Sequence, residues 1–331
     1  MKILITGASG FLGSHLIEHL ASKGYQIIGM VRENSNIELI ENLVSELRYA
    51  DLSKPETIKS VVQGVDVVIH LAAYYTFHGS KKLYQKINVE GTEHLAEAAL
   101  KNKVKRLIYC STTEVIGPVP NPPADEDTEP NPVYEYGKSK LKAEEIVKKY
   151  GLKGLEYTII RPSGIYGPRN VNDVSYWTIT CFAKNSLGTR FIVGSGENLV
   201  QFVHVKDVVE GFTLALEKSD KSRNQTYIIS EDKAYTYNEV YKILAELTNR
   251  KPPCKHISKN LAKLMIAPIQ GVNKLLGRDN FLYHVSTADS VCCNRAYSIE
   301  KAKRELGYRP KYDLRSGLKE TINWYMENNY I

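Results

Sequence analysis

The sequence contains few cysteines, and none of them is spaced as in common metal sites. Its 331 residues include five cysteines, an odd number, and no Cys-X-X-Cys motif occurs. This argues against a disulfide framework and a structural zinc site, and favours reduced thiols in the cytosol. Apolar runs of the roughly 18 residues that a membrane span needs are also missing. We therefore expect a cytoplasmic protein with no signal peptide, no transmembrane segment and no bound metal.

Charge of one sign is nowhere concentrated as in a nucleic-acid groove. The net charge of +7 comes from 44 Lys and Arg against 37 Asp and Glu. Basic runs such as Lys101–Arg106 and Lys138–Lys149 alternate with apolar residues at helical spacing, as solvated faces of helices do. We therefore predict no nucleic-acid partner. The net charge is compatible with a mild attraction for anionic cofactors or membrane surfaces.

Short apolar segments alternate with helical patterns in the first half of the chain. Near-continuous apolar strands separated by helices predict a parallel sheet covered on both faces, and therefore an α/β, doubly wound fold. The predicted strands are Lys2–Thr6, Tyr25–Val31, Asp66–Ala73, Arg106–Ser111 and Leu155–Arg161, and the predicted helices are Gly13–Ser22, Val89–Leu100 and Glu135–Lys149.

A glycine-rich turn follows the first predicted strand and leads into a helix. Glycines allow the sharp turn, the approach of the helix N-terminus to a pyrophosphate, and close packing of helix on strand. In this context the spacing is typical of a Rossmann dinucleotide-binding motif. We predict that Gly7, Gly10, Phe11, Leu12 and Gly13 bind the cofactor.

The residues after the second predicted strand bear on the type of dinucleotide. NAD enzymes usually place an acid there for the ribose hydroxyls, whereas an arginine can receive the 2′-phosphate of NADP. Val31 stands where the acid is expected, and Arg32 follows it. We therefore predict a preference for NADP(H), with NAD(H) kept as an alternative because Glu33 lies close behind.

The regular alternation weakens after Pro162. We assign residues 1–164 to the NAD(P)-binding Rossmann domain and residues 165–331 to a smaller, interleaved C-terminal substrate lobe. Residues 200–216 are expected to fold back onto the first domain.

Tyr136 and Lys140 lie four residues apart in the segment YGKSK, on one face of a predicted helix. A free tyrosine has a pKa of about 10, which a neighbouring ammonium lowers. Tyr136 could then exchange a proton with a hydroxyl or carbonyl group, and Lys140 could also hold the nicotinamide ribose. Hydroxyls in Cys110–Glu114, after the fourth strand, could bind the substrate oxygen.

Taken together, these segments resemble the extended short-chain dehydrogenase/reductase family over nearly the whole chain. The resemblance implies that Tyr136, Lys140 and Thr112 are catalytic. Thr112 stands at the position of the family's catalytic serine or threonine, and Ser111 is one residue before it. Asn88 matches an asparagine near the active site. The segments that carry it are TGASGFLGSHL (Thr6–Leu16), DVVIHLAA (Asp66–Ala73), NVEGTEHLAEAA (Asn88–Ala99), YCSTTEVIGP (Tyr109–Pro118), YEYGKSKLKAEE (Tyr134–Glu145), RPSGIYGP (Arg161–Pro168) and FVHVKDVVEG (Phe202–Gly211).

The same resemblance implies further cofactor contacts and an assembly. A homodimer is expected through the Val89–Leu100 and Glu135–Lys149 helices. The implied cofactor contacts are Asp51 and Leu52 beside the adenine, Ala72 and Ala73 along the cofactor, and Pro162 to Ile165 near the nicotinamide.

Departures from the family pattern narrow the range of substrates that we expect. Gly164 stands where sugar-nucleotide members usually carry Asn, and their arginine is missing near Val200. Thr113 stands where dehydratases carry an aspartate, which argues against a dehydratase, although Glu114 matches the dehydratase pattern. The nearest resemblance is to the hydroxysteroid-dehydrogenase and dihydroflavonol-reductase branches.

Aromatic residues after two of the strands are predicted to line an apolar substrate pocket, with Thr112 at the reacting oxygen. Ordinary core packing is the alternative for each ring. These residues are Tyr74, Tyr75, Phe77, Tyr166 and Trp177.

The sequence thus predicts an NAD(P)-dependent oxidoreductase that interconverts a secondary alcohol and a ketone. The expected substrate is lipophilic: steroid-like, isoprenoid or polycyclic. A sugar-nucleotide epimerase with tightly held NAD and a non-catalytic dinucleotide sensor are the alternatives.

An amphipathic stretch at 258–278 permits two interpretations. A core-facing helix of the lobe, kinked at Pro268, is favoured. The alternative is a basic amphipathic segment that makes a peripheral membrane contact. The apolar stripe is Leu261, Leu264, Met265, Ile269, Val272 and Leu276, beside Lys259, Lys263, Lys274 and Arg278.

Overall fold

The computed structural model describes residues 1–76, 79–276 and 283–331. The strands are β1 (Lys2–Thr6), β2 (Gln26–Val31), β3 (Glu46–Tyr49), β4 (Val67–His70), β5 (Arg106–Cys110), β6 (Glu156–Pro162), β7 (Gly164–Tyr166), β8 (Phe191–Val193), β9 (Leu199–Val200), β10 (Phe202–His204), β11 (Gln225–Ile229), β12 (Tyr235–Thr236) and β13 (Lys255–Ile257).

The helices alternate with these strands through the first half of the chain. They are α1 (Phe11–Ser22), α2 (Pro55–Val61), α3 (Lys81–Leu83), α4 (Gly91–Lys101), α5 (Glu135–Gly151), α6 (Val174–Ala183), α7 (Val205–Glu217), α8 (Ser219–Ser222), α9 (Tyr237–Leu247), α10 (Lys259–Leu275), α11 (Val285–Ser290) and α12 (Leu314–Glu327), with π-helical turns at Tyr84–Glu90 and Ala302–Leu306 and 3-10 turns at Thr113–Val115 and Leu187–Arg190.

Seven strands form one parallel sheet in the order β11-β6-β5-β4-β1-β2-β3. Apart from the partly exposed edge strand β3, its strands are largely buried, which explains their continuous apolar runs in the sequence. Helices α1 and α7 cover one face, and α2, α4 and α5 cover the other. The predicted α/β, doubly wound Rossmann architecture is therefore confirmed.

The large sheet takes its last strand from beyond residue 165. Strand β11 pairs with β6, and Tyr227, Ile228 and Ile229 are fully buried there. Helix α7 also packs on the sheet and on α1. A single boundary at residue 164 therefore does not separate the sheet from the lobe. The rest of the lobe is built from short strand pairs and a separate core around α6, α9 and α12.

Helix α10 does not face the core, so the favoured interpretation of this stretch is wrong. Ala262 is its one buried residue, while Leu264 and Leu275 are 72% and 88% exposed. The polar side of the helix, not its apolar side, meets the neighbouring helix α11. Arg278, like Phe77, lies outside the described residues. Within the described ranges, no helix is both long and apolar enough to cross a membrane.

Candidate active site

The glycine turn brings β1, α1 and β4 into close contact. A Cβ on Gly7 would lie 2.8 Å from the backbone nitrogen of Ala72, and Gly7 has a φ of +69°. A Cβ on Gly13 would lie 2.2 Å from the carbonyl oxygen of Gly7. Side chains are therefore excluded at both positions. Helix α1 starts at Phe11 and Leu12, behind Gly10, with no side chain capping it. An uncapped N-terminus beside a glycine turn fits a pyrophosphate.

The carboxyl ends of β2 and β3 lie beside this turn. Arg32 is exposed directly after β2. Burial opposes the charge of Asp51, but hydrogen bonds from Ser53 and the nearby Arg32 outweigh it and lower the pKa of the carboxyl. Arg32 and Asp51 therefore share one corner of the site. Leu52 is buried against Gly91.

A chain of buried hydrogen bonds starts below the glycine turn. Thr6 Oγ1 lies 2.7 Å from His70 Nδ1, and His70 Nε2 lies 3.1 Å from Thr92 Oγ1. Thr92 donates its own hydrogen to the carbonyl oxygen of Asn88 at 2.6 Å. His70 Nε2 must therefore carry the proton, and Thr6 donates to Nδ1 while accepting from the Ala72 amide at 3.1 Å. Burial lowers the pKa of His70 to about 3, so the ring stays neutral.

The chain of hydrogen bonds continues through Asn88 to helix α5, which carries Tyr136 and Lys140. Asn88 Nδ2 donates to Ser139 Oγ at 3.0 Å and to the Tyr74 carbonyl at 3.0 Å, and its Oδ1 accepts from the Tyr74 amide at 2.7 Å. Ser139 Oγ donates to the carbonyl oxygen of Tyr136 at 2.7 Å. The cofactor turn and the first turn of α5 are thus joined through the protein interior.

Tyr136 and Lys140 both lie at the carboxyl end of β5. Lys140 is buried, donates to the carbonyl oxygen of Cys110 at 2.6 Å and lies 4.2 Å from the centre of the Tyr109 ring. Burial lowers the pKa of Lys140 to about 8. Burial also raises the pKa of Tyr136 well above its usual value, and Asp173 and Glu114 act in the same direction.

The sequence argument for a lowered Tyr136 pKa is therefore wrong for the protein alone. Burial penalises the phenolate, and the neighbouring Cys110, Asp173 and Glu114 act in the same direction, so the pKa of Tyr136 rises. At neutral pH Tyr136 holds its proton and can donate it to an oxygen atom.

Two neighbouring hydroxyls after β5 have different surroundings. Ser111 is buried and donates to Glu144 at 2.5 Å, and Glu144 also binds Arg161 at 2.7 Å. Thr112 is half-buried and accepts from the Glu114 amide at 3.2 Å, which leaves its hydrogen for another acceptor. This supports Thr112, and not Ser111, as the group that holds a substrate oxygen.

Comparisons with known proteins match this geometry. The model described as "NAD dependent epimerase/dehydratase family" matches residues 3–230. The 3beta-hydroxysteroid-dehydrogenase/decarboxylase isoform 1 of Arabidopsis thaliana is 30% identical over 97% of this chain and 78% of its own. A protein of Methanocaldococcus jannaschii provisionally named a UDP-glucose 4-epimerase is 29% identical over 99% of both chains. The structure of Thermotoga maritima UDP-glucose 4-epimerase with UDP-glucose has a TM-score of 0.80 and 25% identity, covering 99% of this chain and 100% of its own.

The chain belongs to the NAD-dependent epimerase/dehydratase family. It is an enzyme of the extended short-chain dehydrogenase/reductase type that uses a nicotinamide dinucleotide, which sets aside the alternative of a non-catalytic sensor. A bound dinucleotide supplies a hydride donor or acceptor. In this family member the predicted cofactor residues Ala72, Ala73, Pro162 and Ile165 follow or lie near the carboxyl ends of β4 and β6, at the same edge of the sheet as Gly7.

The aromatic residues predicted to line the substrate pocket have different surroundings in the structure. Tyr75, and not Tyr74, lies against Tyr136, because the centres of the Tyr75 and Tyr136 rings are 5.0 Å apart. Tyr74 packs on Tyr84 instead. Tyr166 is buried in the core of the lobe against Phe202 and His204, so its prediction as a substrate contact is corrected.

Helix α6 of the lobe approaches Tyr136 through Tyr75. Tyr75 Oη donates to Asp173 Oδ1 at 2.7 Å, and Asp173 caps α6. Trp177 follows Asp173 by one turn and is half-buried. The loop after β4 and helix α6 therefore meet next to Tyr136.

The enzyme carries an arginine near Val200 after all, supplied by a distant segment. Arg295 forms a bridge with Val200 and an ion pair of 2.6 Å with Glu114. Burial opposes the charge on Arg295, but Glu114 and the neighbouring tyrosines together outweigh it and raise the pKa of the guanidinium. Sequence reasoning missed this pair, and it missed Asp173 and Ser139. Ser139 stands inside the YGKSK motif, which could have identified it.

Proposed function

We propose that the enzyme interconverts a secondary alcohol and a ketone on an apolar substrate. The main supporting observation is that Tyr136 is half-buried, with its ring against that of Tyr75, at the end of β5 that also presents Thr112 and Lys140. Thr112 holds the substrate oxygen, and Tyr136 gives it a proton or takes one from it. Lys140 is positioned by the Cys110 carbonyl to bind the ribose and to stabilise charge at the phenol.

The ion pair between Arg295 and Glu114 supports an apolar substrate. The guanidinium of Arg295 is neutralised by Glu114, so it offers no free cation to a diphosphate. At Gly164, a Cβ would lie 3.1 Å from the ring of Phe202, which leaves little space for the asparagine of sugar-nucleotide members. The similarity to the plant hydroxysteroid dehydrogenase supports a steroid-like, isoprenoid or polycyclic substrate.

The test is turnover of lipophilic ketones with reduced nicotinamide, followed by absorbance. Tyr136→Phe should lower kcat by about 10²- to 10⁴-fold and leave cofactor binding unchanged, because the proton donor alone is lost. Tyr150→Phe on the same helix is the matched control and should keep full activity. Near-normal turnover by Tyr136→Phe would contradict the assignment of Tyr136 as the proton donor.

Arg32 supports a preference for NADP(H) over NAD(H). Its exposed guanidinium at the end of β2 can pair with a 2′-phosphate. Calorimetry with NADPH and NADH should give tighter NADPH binding, lost in Arg32→Ala and kept in Lys59→Ala. Tighter NADH binding by the unchanged protein would assign that corner to Asp51 and the ribose hydroxyls.

A sugar-nucleotide epimerase is the second candidate, favoured by the similarity to the two epimerases. Incubation with UDP-glucose, followed by chromatography of the sugar nucleotides, distinguishes the two activities. We expect no epimer to form. Formation of UDP-galactose, with NAD that copurifies, would replace the oxidoreductase proposal. A homodimer through α4 and α5 is part of the proposal, and light scattering tests it.

A further inference from the structure

Helix α10 presents a continuous apolar stripe to solvent. Leu264 is 72% exposed, Val272 55% and Leu275 88%. The apolar positions recur at intervals of three and four residues, which places them on one side of an α-helix. They are Leu261, Leu264, Met265, Ile269, Val272, Leu275 and Leu276.

The opposite side of α10 carries the polar residues, and it is this side that contacts the protein. Lys263 pairs with Asp289 at 2.7 Å, and Lys259 lies 3.5 Å from the same carboxylate. Gln270 accepts a hydrogen bond from the Val285 amide at 2.9 Å. The usual arrangement of a surface helix, apolar inward and polar outward, is reversed here. A continuous row of exposed apolar side chains beside charged residues is typical of an interaction surface.

The charge around the stripe has one sign. Residues 250–276 contain six basic residues and no aspartate or glutamate. Lys251, Lys255 and Lys274 are exposed, and two of the others are the lysines that meet Asp289. The six are Arg250, Lys251, Lys255, Lys259, Lys263 and Lys274.

We propose that α10 docks on the surface of a bilayer that contains anionic lipids. Such a surface supplies an acyl layer for the apolar stripe and negative headgroups for the flanking lysines. A second copy of the chain fits less well, because a twofold contact would bring two segments of the same positive charge together. At 17 residues the helix is about 26 Å long and lies along the surface.

Docking would also bring the bilayer near the segment that leads to Tyr136. Helix α11 packs on α10, and Tyr134 Oη donates to the carbonyl oxygen of Ser286 in α11 at 3.3 Å. Tyr134 precedes α5 and lies two residues before Tyr136. A lipophilic substrate could then pass from the acyl layer to the catalytic residues. This consequence rests on the proposed function, whereas the docking itself does not.

The experiment is co-sedimentation with phosphatidylcholine vesicles, with and without about one third phosphatidylglycerol. The protein should sediment with the anionic vesicles, less with the neutral ones, and less in high salt. The variant Leu264→Glu/Leu275→Glu should partition at least about tenfold less, because two exposed apolar contacts are replaced by charges that anionic headgroups repel. Leu152→Glu, at a leucine 93% exposed outside this helix, is the control and should sediment normally.

Circular dichroism and cofactor binding should be unchanged in both variants, since the substituted leucines are exposed. Equal sedimentation of Leu264→Glu/Leu275→Glu and the unchanged protein would overturn the proposal. Failure of the unchanged protein to bind either vesicle, with a dimer that dissociates in the double variant, would assign the stripe to a second copy. Sedimentation does not depend on turnover, so these outcomes are independent of the oxidoreductase assignment.

Discussion

Asn88 and Ser139 are joined by a buried hydrogen bond of 3.0 Å between the amide nitrogen and the hydroxyl oxygen. Through this bond the chain of hydrogen bonds from Thr6 and His70 reaches the backbone of Tyr136. Each donor and acceptor along the chain has a defined role, because the neutral His70 fixes the direction. The arrangement holds the first turn of α5 in register with the cofactor turn.

Ser139→Ala should therefore lower kcat more than it changes cofactor affinity. Loss of the hydroxyl frees the Tyr136 carbonyl and leaves Asn88 one acceptor short, at a cost of about 1–3 kcal/mol in stability. We expect kcat to fall about tenfold from misplacement of the phenol. Ser222→Ala, at a buried serine far along the chain in α8, should cost stability and leave kcat unchanged. Equal kcat values for the two variants would show that Ser139 is only structural.

Asp173→Asn should shift the pH profile of ketone reduction. The Asp173 carboxylate raises the pKa of Tyr136, and reduction needs the protonated phenol. Removing the charge lowers that pKa, so the alkaline limb of the profile should move to lower pH. Asparagine still accepts from Tyr75 and still caps α6. Tyr75→Phe serves as the comparison, because it breaks the hydrogen bond but keeps the charge. An alkaline limb that moves in Tyr75→Phe and stays in place in Asp173→Asn contradicts this account.

Glu114→Gln should turn the surroundings of Arg295 into an anion site. Breaking one side of a buried ion pair leaves an uncompensated charge and costs about 3–5 kcal/mol. Arg295 would then bind phosphate, which should inhibit the variant and not the unchanged enzyme. The double variant Glu114→Gln/Arg295→Met removes the stranded charge and should recover most of the stability without phosphate inhibition. Thermal unfolding and inhibition by inorganic phosphate measure both effects. Phosphate inhibition that persists in the double variant would place the anion elsewhere.

Local patterns were sufficient to predict the glycine turn after β1 and the helix that carries Tyr136 and Lys140. Gly7 and Gly13 are required by backbone contacts within one strand-turn-helix unit, and Tyr136 and Lys140 lie on one helical face. Contacts within one such unit can be predicted from the spacing of residues along the chain. The doubly wound sheet followed from the same alternation of apolar strands and helices.

Long-range pairings could not be predicted in this way. Glu114 and Arg295 meet across 181 positions of sequence, so the apparent lack of an arginine near Val200 was misleading. The periodicity of α10 identified an apolar side but not its direction, because a pattern contains no information on which side packs. The Lys263–Asp289 contact decides that point.

Glu231 should make the protein less stable as the pH rises. It is buried, its Oε1 accepts from Leu314 at 2.9 Å and from Tyr235, and its Oε2 has no partner among the described residues. Burial raises its pKa from 4.5 to about 7. A carboxyl whose pKa is higher in the folded state stabilises the fold below pH 4.5 and loses that contribution as the pH rises to 7. By linkage the loss is at most about 3 kcal/mol.

Glu231→Gln should remove this dependence, because the amide keeps the Oε1 acceptor and cannot ionise. Unfolding by urea at pH 5 and pH 8 should show the variant gaining stability relative to the unchanged protein only at the higher pH. Glu246→Gln, at an exposed glutamate that pairs with Arg315, is the control and should show no such gain. If the curves for Glu231→Gln and the unchanged protein stay parallel across this range, the buried carboxyl is ionised without penalty and its raised pKa is wrong.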